Sequence, residues 1–190
     1  MNFNLHKISF IGAIFVILFS CSIREREPII PPPCPIEDLI VDISSFPAGW
    51  TQNSPPRERN APIRWGVDKR GVSFSTQEYG GAIQDVYRGR NLDDAGKGYF
   101  NLSESWFRLR EAEGDWYIPS EFSYESIIAD HYRFGCSIHK PSGFQTCQMA
   151  AQYGVYVTRF YTGMSPLMTY SDLERILQAI DNKMGQCLGK

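Results

Sequence analysis

Residues 122–157 constrain the fold more than any other part of the chain. Phe122, Tyr124, Ile128, Tyr132, Phe134, Cys136 and Ile138 fall on even positions, whereas Cys147, Met149, Ala151, Tyr153, Val155 and Val157 fall on odd ones. Alternation with period two puts the apolar side chains of each half on one face of a strand. Between the halves, Lys140-Pro141-Ser142-Gly143 is a turn signal. With the turn centred between Pro141 and Ser142, Cys136 opposes Cys147, Phe134 opposes Met149, Tyr132 opposes Ala151 and Ile128 opposes Val155. Every pair then shares a face, and a slip of one residue would break that agreement. The pattern predicts a long antiparallel hairpin over about 122–157, stapled by a Cys136–Cys147 bridge.

The start of the chain carries an address. Lys7 precedes an apolar run, Ile8 to Phe19, of signal-peptide length and too short to span a bilayer as a helix. The run closes on Leu18-Phe19-Ser20-Cys21, which resembles the lipobox of bacterial lipoproteins. That resemblance implies removal of residues 1–20, a diacylglycerol and fatty acyl group on Cys21, and residence on the extracytoplasmic side of a cell envelope. It also bears on the cysteine count. Five cysteines leave one unpaired in an exported protein; with Cys21 lipidated, Cys34, Cys136, Cys147 and Cys187 form an even set. Four cysteines allow three connectivities, and the hairpin register favours Cys136–Cys147 with Cys34–Cys187.

Residues 21–35 read as the lipidated cysteine and a tether. Pro28, Pro31, Pro32, Pro33 and Pro35 favour extended polyproline II, which would lift the domain on the order of 40 Å from a lipid surface. Residues 36–190 then form a single domain, long enough to bury a sizeable core. Hydrophobic residues make up 43% and aromatic residues 14% of the chain, which favours a packed core over disorder. The formal net charge of −2 gives no basic field to attract nucleic acid.

In chain order, Leu39 to Ile43 is a short apolar run of undecided type, and Thr51 to Pro62 reads as a loop. Arg64 to Glu78 and Ala82 to Tyr87 read as strands flanking a Gly80-Gly81 turn. A helix is expected over about 92–107, capped by Asn91, with Ala95, Tyr99, Leu102 and Trp106 on one face. A second is expected over 171–184. There Ser171 to Glu174 has the form of a capping box, and Leu173, Ile176, Leu177, Ile180 and Met184 make an apolar stripe before Gly185. The expected fold class is α+β, an antiparallel sheet with both helices on one face. Its outline resembles small extracytoplasmic accessory folds of the PsbP-like class, a resemblance that carries no site residues over.

Residues that carry chemistry are sparse. Cys136, His139 and Cys147 have zinc-ligand chemistry, yet an oxidising compartment favours the disulfide and three ligands fall short of a structural site. No metal or cofactor is expected beyond the lipid on Cys21. No Gly-x-Ser-x-Gly elbow or phosphate loop is present, and Glu121, Glu125 and Asp130 are scattered. His131, Arg133 and the facing Gln152 should share the polar, solvated face of the hairpin. Trp50, Trp65, Trp106 and Trp116 have the chemistry to stack on sugars, although core packing is the commoner use. The sequence therefore points to a monomeric, non-catalytic binding or accessory module whose ligand it does not name. An envelope hydrolase using carboxylates or His131, and a structural subunit of a membrane complex, are the alternatives.

Overall fold

The computed structural model describes residues 33–58, 66–77, 80–108 and 114–190. The leader, the lipobox with Cys21, most of the tether and Trp65 lie outside the described residues. Short 3-10 turns at Ile36–Leu39 and Ile43–Ser45 precede the strands β1 (Trp50–Gln52), β2 (Arg57–Glu58), β3 (Gly66–Thr76) and β4 (Gly81–Gly89). Helix α1 (Leu92–Trp106), strands β5 (His131–Ile138), β6 (Gln145–Tyr153) and β7 (Tyr156–Gly163), and helix α2 (Tyr170–Leu188) follow. The described strands form one antiparallel sheet in the order β1-β3-β4-β7-β6-β5, with β2 also pairing to β3. The region read as a loop from Thr51 thus contributes two short edge strands.

Strands β5 and β6 pair with Cys136 opposite Cys147 and His131 opposite Gln152, the register that alternation demands. The hairpin is shorter than 122–157, however. Residues 122–130 form no strand, so Ile128 does not pair with Val155. Gly154 adopts φ 57° and turns the chain back on itself, placing Tyr153 opposite Tyr156 and sending Val157 into β7. Only glycine and a few polar residues take that conformation cheaply.

The two helices lie on opposite faces, which corrects the single-face arrangement. On one face the α2 side chains Leu173, Ile176, Leu177, Ile180 and Met184, each 1% exposed or less, join Phe74, Val86, Met149, Tyr153 and Phe160. On the other, Ala95, Tyr99, Leu102 and Trp106 of α1 pack on Tyr87 and Val157. The reason lies in β7, where adjacent Tyr156, Val157 and Thr158 are all fully buried. A strand buried on both sides needs a cover on each.

Local chemistry sets the helix ends. Asn91 caps α1 as expected, its side chain accepting from the Asp94 amide. α1 starts close against the sheet because Gly89 has no side chain; a Cβ there would sit 2.8 Å from the Ala95 nitrogen. The cap of α2 is Thr169 rather than Ser171, in a reciprocal capping box with Asp172. Glu174 is thereby released to accept from the Ser123 and Tyr124 amides, at 2.5 and 3.1 Å. The helix continues through Gly185 and stops at Gly189, which has φ 66°.

Two disulfides are formed, Cys136–Cys147 across β5 and β6 and Cys34–Cys187 between the start of the domain and the last turn of α2. The Tyr156 hydroxyl donates to the Cys34 carbonyl at 2.7 Å, which places Cys34 at the Tyr156 end of β7.

Candidate functional site

The first candidate, His131, Arg133 and Gln152, occupies one face of β5 and β6 beside α1, with His131 and much of Arg133 open to solvent as expected and only Gln152 buried. The His131 ring stacks on Tyr99, with centroids 5.3 Å apart and planes 18° from parallel. Arg133 reaches Glu104 of α1 at 3.2 Å and lies over the Phe107 ring at 4.4 Å. Gln152 is 5% exposed and donates to the Gly154 carbonyl at 3.1 Å. His131 and Arg133 tie α1 to the sheet, whereas Gln152 braces the turn at Gly154. Asp130, beside His131 in sequence, accepts instead from the Gly154 amide at 2.6 Å and from Lys190 at 3.1 Å. The zinc alternative fails on chemistry, because Cys136 and Cys147 are disulfide-bonded and His139 bonds Ser142 in the turn.

Further along the same face, the sheet carries polar groups that sequence reading missed. Asp85 on β4, 5% exposed, lies directly opposite Arg159 on β7. The Arg159 guanidinium sits 5.1 Å from the Trp106 ring and 5.5 Å from Tyr161, and reaches Gln148 Oε1 at 3.4 Å. Gln148 in turn donates to the Trp106 carbonyl at 2.6 Å. Cation–π stacking and this hydrogen-bonded chain fasten the last turn of α1 to the sheet.

Beyond Trp106 no described helix covers the sheet, and a groove of about 350 Å³ opens. Its floor includes Gly81 at the start of β4 and Gly163 at the end of β7. Phe144 and Tyr161 stand along it, and Asn53, Ser73 and Ser75 form a polar side. Phe144 is placed by the turn after β5, which closes through the His139 amide and the Phe144 carbonyl at 2.9 Å. Its ring lies on bare Gly163 backbone, where an added Cβ would come within 2.5 Å of it. Ser75 donates to Asn53 Oδ1 at 2.7 Å, and Asn53 Nδ2 donates to Ser73 at 3.4 Å. A second groove of about 600 Å³ lies around the edge of the sheet beside Trp50, Thr76 and Leu167. Trp50 itself is 5% exposed and donates to the Leu167 carbonyl, so it serves the core.

On the α2 face, buried Asp181 accepts from the hydroxyls of Tyr124 and Tyr153. Burial foremost, and then the Asp181 carboxylate, push the phenols of Tyr124, Tyr132 and Tyr153 well above the ordinary tyrosine range. Phenols held neutral in this way suit a structural lock rather than proton transfer.

No protein-family model matches the chain, and no curated protein matches it in sequence. Among solved structures, the extracellular domain of PknH from Mycobacterium tuberculosis is similar, with a TM-score of 0.56 at 9% identity over 84% of this chain and 99% of that one. An uncharacterized Rv0999 ortholog from Mycobacterium smegmatis aligns with a TM-score of 0.43 at 10% identity, over 79% and 98% of the two chains. At such identities the PknH likeness speaks for a shared fold.

Proposed function

We propose that the chain is a lipid-anchored, extracytoplasmic, non-catalytic binding module. The observation that carries this reading is the disposition of β7. Cys34, where the tether joins, is bonded to Tyr156 at one end of the strand, and the groove lies at Gly163, the other end. At about 3.4 Å per residue the two are roughly 24 Å apart along the strand. A domain held at one end and open at the other presents its groove away from the surface that anchors it. Two disulfides support export, because they persist in oxidising compartments. A hydrolase would need an acid and a base converging on substrate, whereas His131 is stacked on Tyr99 and Asp130 is engaged with Gly154 and Lys190.

The anchor is tested at its own residue. Cys21→Ala should abolish incorporation of a fatty-acid analogue and move the protein from the membrane fraction to the soluble fraction, with both disulfides intact. Unchanged labelling would falsify lipidation at this cysteine.

A further inference from the structure

We propose that the groove at the Gly163 end of β7 binds a neutral saccharide. This rests on the reading of the chain as a binding module and gives that module its ligand class. The floor comes first. By the register of β4 and β7, in which Ala82 faces Thr162, Gly81 and Gly163 fall side by side on neighbouring strands. Among the described residues a Cβ built on Gly81 would meet nothing within 4 Å, so a flat ligand can settle directly on backbone there.

The walls and the side rail supply two complementary chemistries. Phe144 is 38% exposed, and with Tyr161 it offers aromatic surface to the groove. The C–H groups of a pyranose ring carry the partial positive charge that an aromatic face attracts. Asn53, Ser73 and Ser75 stand along the polar side, and the Tyr161 hydroxyl makes no hydrogen bond among the described residues. Such groups both donate and accept, as sugar hydroxyls do.

Charge and polarity exclude the other ligand classes. None of the described lining residues is charged, so an ionic ligand would shed water with no counter-charge to meet it. A wholly apolar ligand would leave unused the hydrogen-bonding capacity that the rail keeps beyond its own Ser75–Asn53–Ser73 bonds, and that of the Tyr161 hydroxyl. A proline-rich segment has flat faces but no backbone donor at its prolines. A polyhydroxylated ring satisfies the floor, the aromatic wall and the rail together. The volume of about 350 Å³ falls at the lower end of the range for ligand pockets, which suits one or two sugar units of a longer chain.

Saturation-transfer NMR on the full chain in deuterated detergent tests this. The probes are maltotriose, cellotriose, mannotriose and chitotriose, set against glucose 6-phosphate and a synthetic peptide of residues 26–36. At least one neutral trisaccharide should receive saturation, with a Kd of about 1 mM, as expected for a shallow open site. Gly81→Val should weaken that binding at least tenfold while circular dichroism and thermal midpoint stay put, since the new side chain enters open space. Phe144→Ala should weaken it several-fold. The proposal is overturned if no neutral trisaccharide is saturated, if only the phosphate or the peptide is, or if binding survives Gly81→Val. New reducing ends in the same spectra would uphold the saccharide site and overturn the non-catalytic reading instead.

Discussion

Replacing Cys34 and Cys187 together with serine is expected to lower the free energy of unfolding by about 5 kcal/mol, the largest single effect a covalent change should have on this domain. The two cysteines are 153 residues apart, so their bond closes nearly the whole domain into one loop. Loop-closure entropy grows with the logarithm of loop length, and the 11-residue separation of Cys136 and Cys147 corresponds to only about 3 kcal/mol. The native state should lose little at the junction, because Tyr156 still bonds the Cys34 backbone, at 2.7 Å through its hydroxyl. The effect therefore acts on the unfolded chain. Guanidinium titration should show a lower midpoint together with a steeper m-value, since an uncrosslinked unfolded chain exposes more surface. A loss of stability at constant m would place the effect in the folded state and overturn this account.

That bridge was readable in the sequence only by elimination, whereas the other was readable by geometry. Period-two alternation on both sides of Lys140-Pro141-Ser142-Gly143 fixed the pairing of Cys136 with Cys147, because register and face are coupled in a strand. The same reasoning overran at both ends. Alternation continues through Val155 and Val157 although the chain reverses at Gly154, since two strands joined by a tight turn can keep the same parity. A single glycine carried the information. The placement of the helices was hidden for a different reason. Tyr87 and Val157 face α1 from strands whose other side faces the α2 core, and a doubly buried strand has no polar face to indicate its cover.

The site was less legible than the fold. His131, Arg133 and Gln152 were identified as neighbours, which the register upholds, but polarity does not reveal that His131 stacks on Tyr99 and Arg133 pairs with Glu104 of α1. Arg159 and Asp85 carry no motif; they stand opposite each other because β4 and β7 pair across the 73 residues that separate them, a pairing no local pattern encodes. The groove depends on what is missing from its floor. Gly80-Gly81 signalled a turn, and only the pairing of β4 with β7 brings the open Gly81 beside Gly163, on which the Phe144 ring lies.

Asp181→Ala is expected to cost about 3 kcal/mol, measured by chemical denaturation. The carboxylate is 6% exposed and accepts from two phenols, Tyr124 and Tyr153, that come from a loop and from β6. Removing it takes the carboxylate acceptor from the buried Tyr153 hydroxyl and the part-buried Tyr124 hydroxyl, at about 1–3 kcal/mol each, offset in part by no longer burying a charge. Asp181→Asn keeps one acceptor and should cost about half as much; equal losses for the two variants would show that packing, not hydrogen bonding, sets the effect. The same cluster should govern alkaline stability. Burial first, and the Asp181 charge second, raise the folded-state pKa of Tyr132 and Tyr153 above the unfolded value near 10, and burial does the same for Tyr124 with the Asp181 hydrogen bond next. Below that value all forms are protonated and stability is unaffected. Above it the unfolded chain releases protons that the folded chain retains, so stability falls as pH rises, by up to about 1.4 kcal/mol per pH unit for each tyrosine. In a titration followed at the phenolate absorbance, three of the ten tyrosines should stay silent past pH 11 and appear together with cooperative unfolding. Free titration of all ten in a protein that keeps its native circular dichroism would mean that the three phenols are not enclosed around Asp181.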